Sequence, residues 1–119
     1  MSLSMHKIRL ILTKEAFHFI ENLPQKVGDK IYHDINRIEE GEINREIFKK
    51  LEGSNIWEFR TLFNKTAYRL FAFWDTEEQA LIIATHGIVK KTHKTPTKEI
   101  NKAERIRTEY FNNKINNKK

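Results

Sequence analysis

The stretch from Ile56 to Thr97 constrains this chain more than any other. It reads IWEFRTLFN, then KTAYRLFAFWD, then TEEQALIIATHGIVKKTHKTPT. Three runs rich in aromatic and β-branched residues are separated by short polar breaks, the pattern of consecutive antiparallel strands joined by hairpins. The last run ends in Lys90, Lys91, His93 and Lys94 ahead of Pro96. A hydrophobic sheet therefore carries a concentrated cationic rim.

At 119 residues the chain has the size of one domain, able to bury roughly two-thirds of the surface its unfolded form exposes. With no cysteine, disulfides and thiolate zinc sites are excluded. The early apolar run from Ile8 to Leu12 is too short for a signal peptide or a membrane span, so a cytoplasmic protein with no membrane partner is expected. The net charge of +6 is uneven. Through Thr85 there are 12 Lys+Arg against 13 Asp+Glu (12 − 13 = −1), and from His86 onward 10 against 3 (10 − 3 = +7). Such a surplus on the last third suits a polyanion partner such as nucleic acid, or an acidic protein; a merely solvating lysine-rich surface is the plainer account.

In chain order, His6 to Leu12 reads as a strand with Ile8, Leu10 and Leu12 on one face. Thr13 can cap a helix that presents Ala16, Phe17 and Ile20 and stops at Leu23, ahead of Pro24. Pro24 suits the first turn of a second helix, whose stripe Val27, Ile31, Ile35 and Ile38 runs to Gly41. The segment from Glu42 to Asn55 reads as a connection with at most one helical turn. Pro96-Thr97 opens a last helix with Ile100, Ala103, Ile106 and Tyr110 or Phe111 inward. The domain is expected over 5–111, followed by a disordered basic tail at 112–119.

Alternation assigns faces to the central strands. Trp57, Phe59, Thr61 and Phe63 share one side, and Ile56, Glu58, Arg60 and Leu62 the other. Tyr68, Leu70, Ala72 and Trp74 likewise oppose Ala67, Arg69, Phe71 and Phe73. Arg60 and Arg69 stand out as guanidinium groups set into apolar strands, where each needs an open strand end or a carboxylate, Glu58 being the nearest candidate. Trp57, Tyr68 and Trp74 suit the core better than base stacking. The fold class is α+β: a small twisted antiparallel sheet, two N-terminal helices on one face, a C-terminal helix, and a concave basic surface at the strand ends of the other face.

LEGSNIWEFR, AYRLFAFW and THGIVKKTHKTP followed by TKEINKAE resemble the HigB-like branch of the RelE superfamily of bacterial type II toxins, the branch that includes phage-derived relatives. The resemblance covers His6 to about Phe111, and its specificity lies in the order of these motifs together. It implies an endoribonuclease that cuts mRNA in the ribosomal A site and is held inactive by a cognate helix-turn-helix, HigA-like antitoxin. In such chemistry the ribose 2′-hydroxyl attacks the adjacent phosphate and expels the 5′-oxygen, with no metal and no other cofactor. One group accepts the 2′ proton, cations stabilise the phosphate, and one group protonates the leaving oxygen.

Carried over residue by residue, the resemblance makes Arg69, after Tyr68, the arginine that contacts the scissile phosphate. Arg60 and Glu58 stand where RelE-like enzymes place paired basic residues. Because Glu58 is an acid, it is either the general base or, the preferred reading, a partner that orients Arg60 or Arg69. Lys90 and Lys91 match the basic pair at the strand end, with Lys91 as the catalytic phosphate ligand and Lys90 grouped with Lys94, Lys98 and Lys102 as RNA-binding. Thr97 stands near the place of a tyrosine that some RelE proteins use. His93 and His86 are then the histidine candidates, His93 for proton transfer and His86 at least as well for a structural hydrogen bond. The competing reading is a non-catalytic basic RNA-binding module, or a degenerate toxin that mainly binds its antitoxin.

Overall fold

The computed structural model describes residues 7–42, 44–90 and 94–117. Five strands, β1 (Arg9–Leu12), β2 (Phe48–Lys50), β3 (Trp57–Phe63), β4 (Thr66–Trp74) and β5 (Leu81–Lys90), form one sheet in the order β1-β5-β4-β3-β2. Helices α1 (Lys14–Glu21) and α2 (Gln25–Glu39) cover one face, and α3 (Thr97–Asn117) covers part of the other. None of the described helices is long and apolar enough to cross a membrane.

The sheet is mixed rather than wholly antiparallel. β2, β3, β4 and β5 pair as antiparallel neighbours, while β1 lies parallel to β5, Leu10 beside Ile82 and Leu12 beside Ala84. A parallel partner needs no turn of its own here, because the chain leaves β1 through α1 and α2 and returns at the far edge. The β3–β4 turn is two residues, Asn64 and Lys65, both at positive φ (49° and 67°). Left-handed conformations at both central positions match the right-handed twist of the flanking strands.

The alternation holds. Phe59, Leu70, Ala72, Trp57 and Trp74 join the core under α1 and α2 with Val27, Ile31, Ile35 and Ile38. Ile56, Phe71, Phe73, Leu81 and Ile83 form a second core with Ala103, Ile100, Tyr110 and Phe111 of α3. Three local readings change. α1 ends at Glu21, and Phe17 points outward (45% exposed) while Phe19 packs inward. The connection at 42–55 contains strand β2, whose Phe48 stacks on Phe59 at 4.3 Å; three residues are too few to show alternation. Helix α3 runs to Asn117, through most of the expected tail, because Lys114 is anchored to Asp75 at 2.6 Å.

Phe19 lies over Gly87 so closely that a Cβ there would stand 2.3 Å from two of its ring carbons. Gly87→Ala should therefore displace the ring and destabilise the fold by about 1–3 kcal/mol, as overpacking typically does. A lowered denaturant midpoint at unchanged slope is the expected observation.

Candidate active site

The β3–β4 register places Arg60 directly opposite Arg69, Leu62 opposite Ala67 and Glu58 opposite Phe71. Directly opposed residues share a face, as do residues two apart on one strand. Glu58, Arg60 and Arg69 are thus assembled by strand geometry alone. Two opposed arginines repel each other, and the acid offsets that repulsion: Glu58 Oε1 lies 3.2 Å from Arg69 Nε and 3.7 Å from Arg60 Nε. In both cases the closest approach to the carboxylate is through Nε. At 3.2 Å the Arg69 Nε–H still lacks the alignment of a hydrogen bond. Charge rather than a directed bond holds it.

Burial sharpens the electrostatics. Arg69 is 7% exposed and Glu58 2%. Desolvation lowers the pKa of Arg69, Glu58 opposes that shift and Arg60 adds to it. A cation that has already lost most of its water gains more from an arriving anion than a solvated one does.

Lys90 reaches the same face because β5 is bulged. Phe71 pairs with His86 and Ala72 with Ala84, which leaves Thr85 as the extra residue. Before the bulge, Ile82 and Ala84 face α1 and α2; after it His86, Ile88 and Lys90 stand opposite Phe71, Arg69 and Ala67. Unbroken alternation would send Lys90 to the other side of the sheet. Its ammonium is buried and its pKa lowered, first by desolvation and then by Arg69. Lys90 Nζ donates to Thr95 Oγ1 at 3.4 Å, and Thr95 Oγ1 donates to Glu58 Oε2 at 2.7 Å.

These groups open onto a cavity of about 730 Å³. Arg60, Arg69, Lys90 and Lys65 give it a cationic wall, Leu62 and Ile47 an apolar one, and Lys30, Asp34 and Glu46 close the side toward α2. Asp34 is buried, and its Oδ2 accepts a hydrogen bond from Thr61 Oγ1 at 2.9 Å.

Of the residues singled out by sequence, Arg69, Arg60, Glu58 and Lys90 come together, and Lys90 moves from the rim into the cavity. Lys91 and His93 lie outside the described residues. Lys94 is exposed, and Lys98 and Lys102 sit on α3 away from the cavity lining, Lys102 paired with Glu15 of α1. His86 is buried, with Nε2 3.0 Å from Glu99 Oε1 and Nδ1 2.9 Å from Thr85 Oγ1. Burial pushes its pKa below the ordinary value against the opposing Glu99 hydrogen bond. It ties β5 to the first turn of α3, the structural role. Sequence reasoning passed over Thr95, whose signal was its place in the KTP segment, and Asp34, a polar residue beside the apolar stripe of α2.

The fold is that of the RelE toxins. Escherichia coli toxin RelE, in the free state and with two arginines replaced by alanine, matches with a TM-score of 0.58 at 16% identity, over 87% of this chain and 98% of that one. The toxin–antitoxin complex RelBE2 from Mycobacterium tuberculosis aligns with a TM-score of 0.48 at 17% identity, over 71% of this chain and 99% of that one. No curated protein sequence matches significantly. The chain belongs to the family described as Phage derived protein Gp49-like (DUF891), whose model matches residues 18–108, from within α1 to within α3.

Proposed function

We propose that this protein is the toxin of a toxin–antitoxin pair and acts as an endoribonuclease on mRNA in the ribosomal A site of the cytoplasm, with a helix-turn-helix, HigA-like antitoxin as its inhibitor. The observation that carries the reading is the arginine pair, Arg69 buried and Arg60 half-buried, its charge partly offset by one carboxylate and open to a cavity of about 730 Å³. In the proposed reaction the 2′-oxygen forms a bond to phosphorus, its proton passes to a base, the P–O5′ bond breaks and O5′ takes up a proton. The product ends are a 2′,3′-cyclic phosphate and a 5′-hydroxyl, and no cofactor enters.

Arg69 and Arg60 stabilise the charge that grows on the phosphate oxygens. Lys90 adds a third cation, and Lys91, next in sequence, is proposed to extend this set. His93 is the proposed proton-transfer group, since an unperturbed imidazole titrates near neutrality. Glu58 fits orientation better than base catalysis, because both its oxygens are engaged, one by the arginines and one by Thr95. Lys94, Lys98 and Lys102 contribute to long-range attraction for RNA. Ribosome association should accordingly weaken steeply with salt, as counterion release requires.

The test is single-turnover cleavage of a defined mRNA on programmed ribosomes, with the fragment ends analysed chemically. Site-specific cuts bearing cyclic phosphates are the expected result. Salt-dependent ribosome binding without cleavage would instead establish the binding-module reading.

A further inference from the structure

We infer that the hydroxyl of Thr95 is a positioning group for the arginine pair: by holding one oxygen of Glu58 it commits the other to the Nε edges of Arg60 and Arg69, leaving their terminal nitrogens for a phosphate. The inference rests on reading the cavity as a phosphate-binding, RNA-cleaving centre.

The polarity of the chain of contacts is fixed by chemistry. An ammonium can only donate, so Thr95 Oγ1 accepts from Lys90 Nζ, and its own hydrogen is left for Glu58 Oε2. Lysine, threonine, glutamate and the two arginines thus form one directed series across β5, the segment before α3, β3 and β4. Thr95 is the member supplied from outside the sheet. The next residue, Pro96, immediately precedes α3, with its carbonyl accepting from the amides of Glu99 and Ile100. The Glu99 side chain is in turn held by His86. The helix start and the phosphate site are therefore fixed by adjoining contacts.

Valine has the shape of threonine without the hydroxyl. In Thr95→Val the buried Glu58 Oε2 loses its short hydrogen bond while keeping its charge, and the Arg69 guanidinium, already 3.2 Å from Oε1, is placed to compensate. A carboxylate that moves onto that fork pairs with it bidentately and blocks the geometry a phosphate needs. Glu58 would change from an orienting group into an inhibitor.

Single-turnover cleavage by Thr95→Val should fall about 10- to 100-fold at saturating ribosomes, the range expected when a hydrogen bond to a charged group is lost. The half-saturating ribosome concentration should stay within about threefold, because most binding comes from distributed phosphate contacts. Thr95→Ser, which keeps the hydroxyl, should recover most of the rate. In a Glu58→Gln background Thr95→Val should cost much less, since no charge is left unpaired, and the two changes should be non-additive. A threonine that only braced the fold would give the same penalty in both backgrounds. In parallel, the Arg69 Nε–Hε NMR cross-peak should shift in Thr95→Val and return toward its wild-type position in Thr95→Ser.

Additive effects, a serine variant as impaired as valine, or a folded valine variant with wild-type rate would each overturn the inference. If the wild-type protein cleaves no RNA, the functional reading fails on its own. The cross-peak then decides for or against the Thr95 tie, an unmoved peak refuting it.

Discussion

Replacing Arg69 by lysine should reduce single-turnover cleavage by about 10²-fold or more, the scale of losing a preorganised donor to a developing oxyanion. Charge is conserved in this change, so the loss isolates geometry. Arg69 approaches Glu58 through Nε, and its two terminal nitrogens can meet two phosphate oxygens at once. A lysine ammonium has no separate edge for the carboxylate, so in the buried position it would satisfy Glu58 and the substrate alternately. Arg60→Lys should cost less, because Arg60 is about one-third exposed and its contact to Glu58 is longer, 3.7 Å against 3.2 Å. Ribosome binding should change little in both variants, since one of many phosphate contacts is altered. Thermal unfolding of each variant separates a catalytic loss from a folding defect. An Arg69→Lys protein that is folded and fully active would remove Arg69 from the site.

Strand alternation made the arginine pair legible, because period-two patterning in β3 and β4 is unambiguous when one face is aromatic. The helix stripe of α2 was equally plain, four apolar residues at helical spacing with all four buried. Three features escaped for physical reasons. Strand β2 depends on pairing with β3 rather than on its own sequence, so tertiary context outweighed local signal. The parallel β1–β5 pairing is a long-range choice that no local pattern encodes. The bulge at Thr85 breaks alternation without a glycine or proline to mark it, and it decides which face Lys90 joins. Sequence pattern thus supplied the arginines, and a backbone irregularity invisible in it supplied their buried lysine. Thr95 belongs to the same class: its segment was conspicuous, but which acid its hydroxyl reaches is settled only by packing.

Asp75→Ala should produce the largest loss of stability, about 3 kcal/mol near neutral pH, the scale for removing one member of a buried, hydrogen-bonded charged cluster. Asp75 follows β4 and is almost fully buried. Its Oδ1 accepts from the amides of Glu77 and Glu78 at 2.7 and 2.9 Å, shaping the turn into β5. Its Oδ2 accepts from Tyr110 Oη and Lys114 Nζ, both at 2.6 Å, fastening the last turns of α3. Burial would raise the pKa of this carboxyl, but the four donors outweigh it and hold the group well below the usual carboxylate range. A depressed folded-state pKa means stability that is complete above the unfolded value of 3.8 and is lost as the pH falls through the folded one. Tyr110 works in the opposite sense: burial and the bond to Asp75 push it from 10.0 up to about 12. Its contribution is complete below pH 10.0 and lost as the pH rises through about 12. The gap in unfolding midpoint between wild type and Asp75→Ala should accordingly be widest from pH 5 to 9 and narrow below about pH 4. Far-ultraviolet circular dichroism on the variant should also show α3 shortened at its C-terminal end. A gap that stays constant from pH 7 down to pH 3 would mean that Asp75 stabilises the fold without its charge.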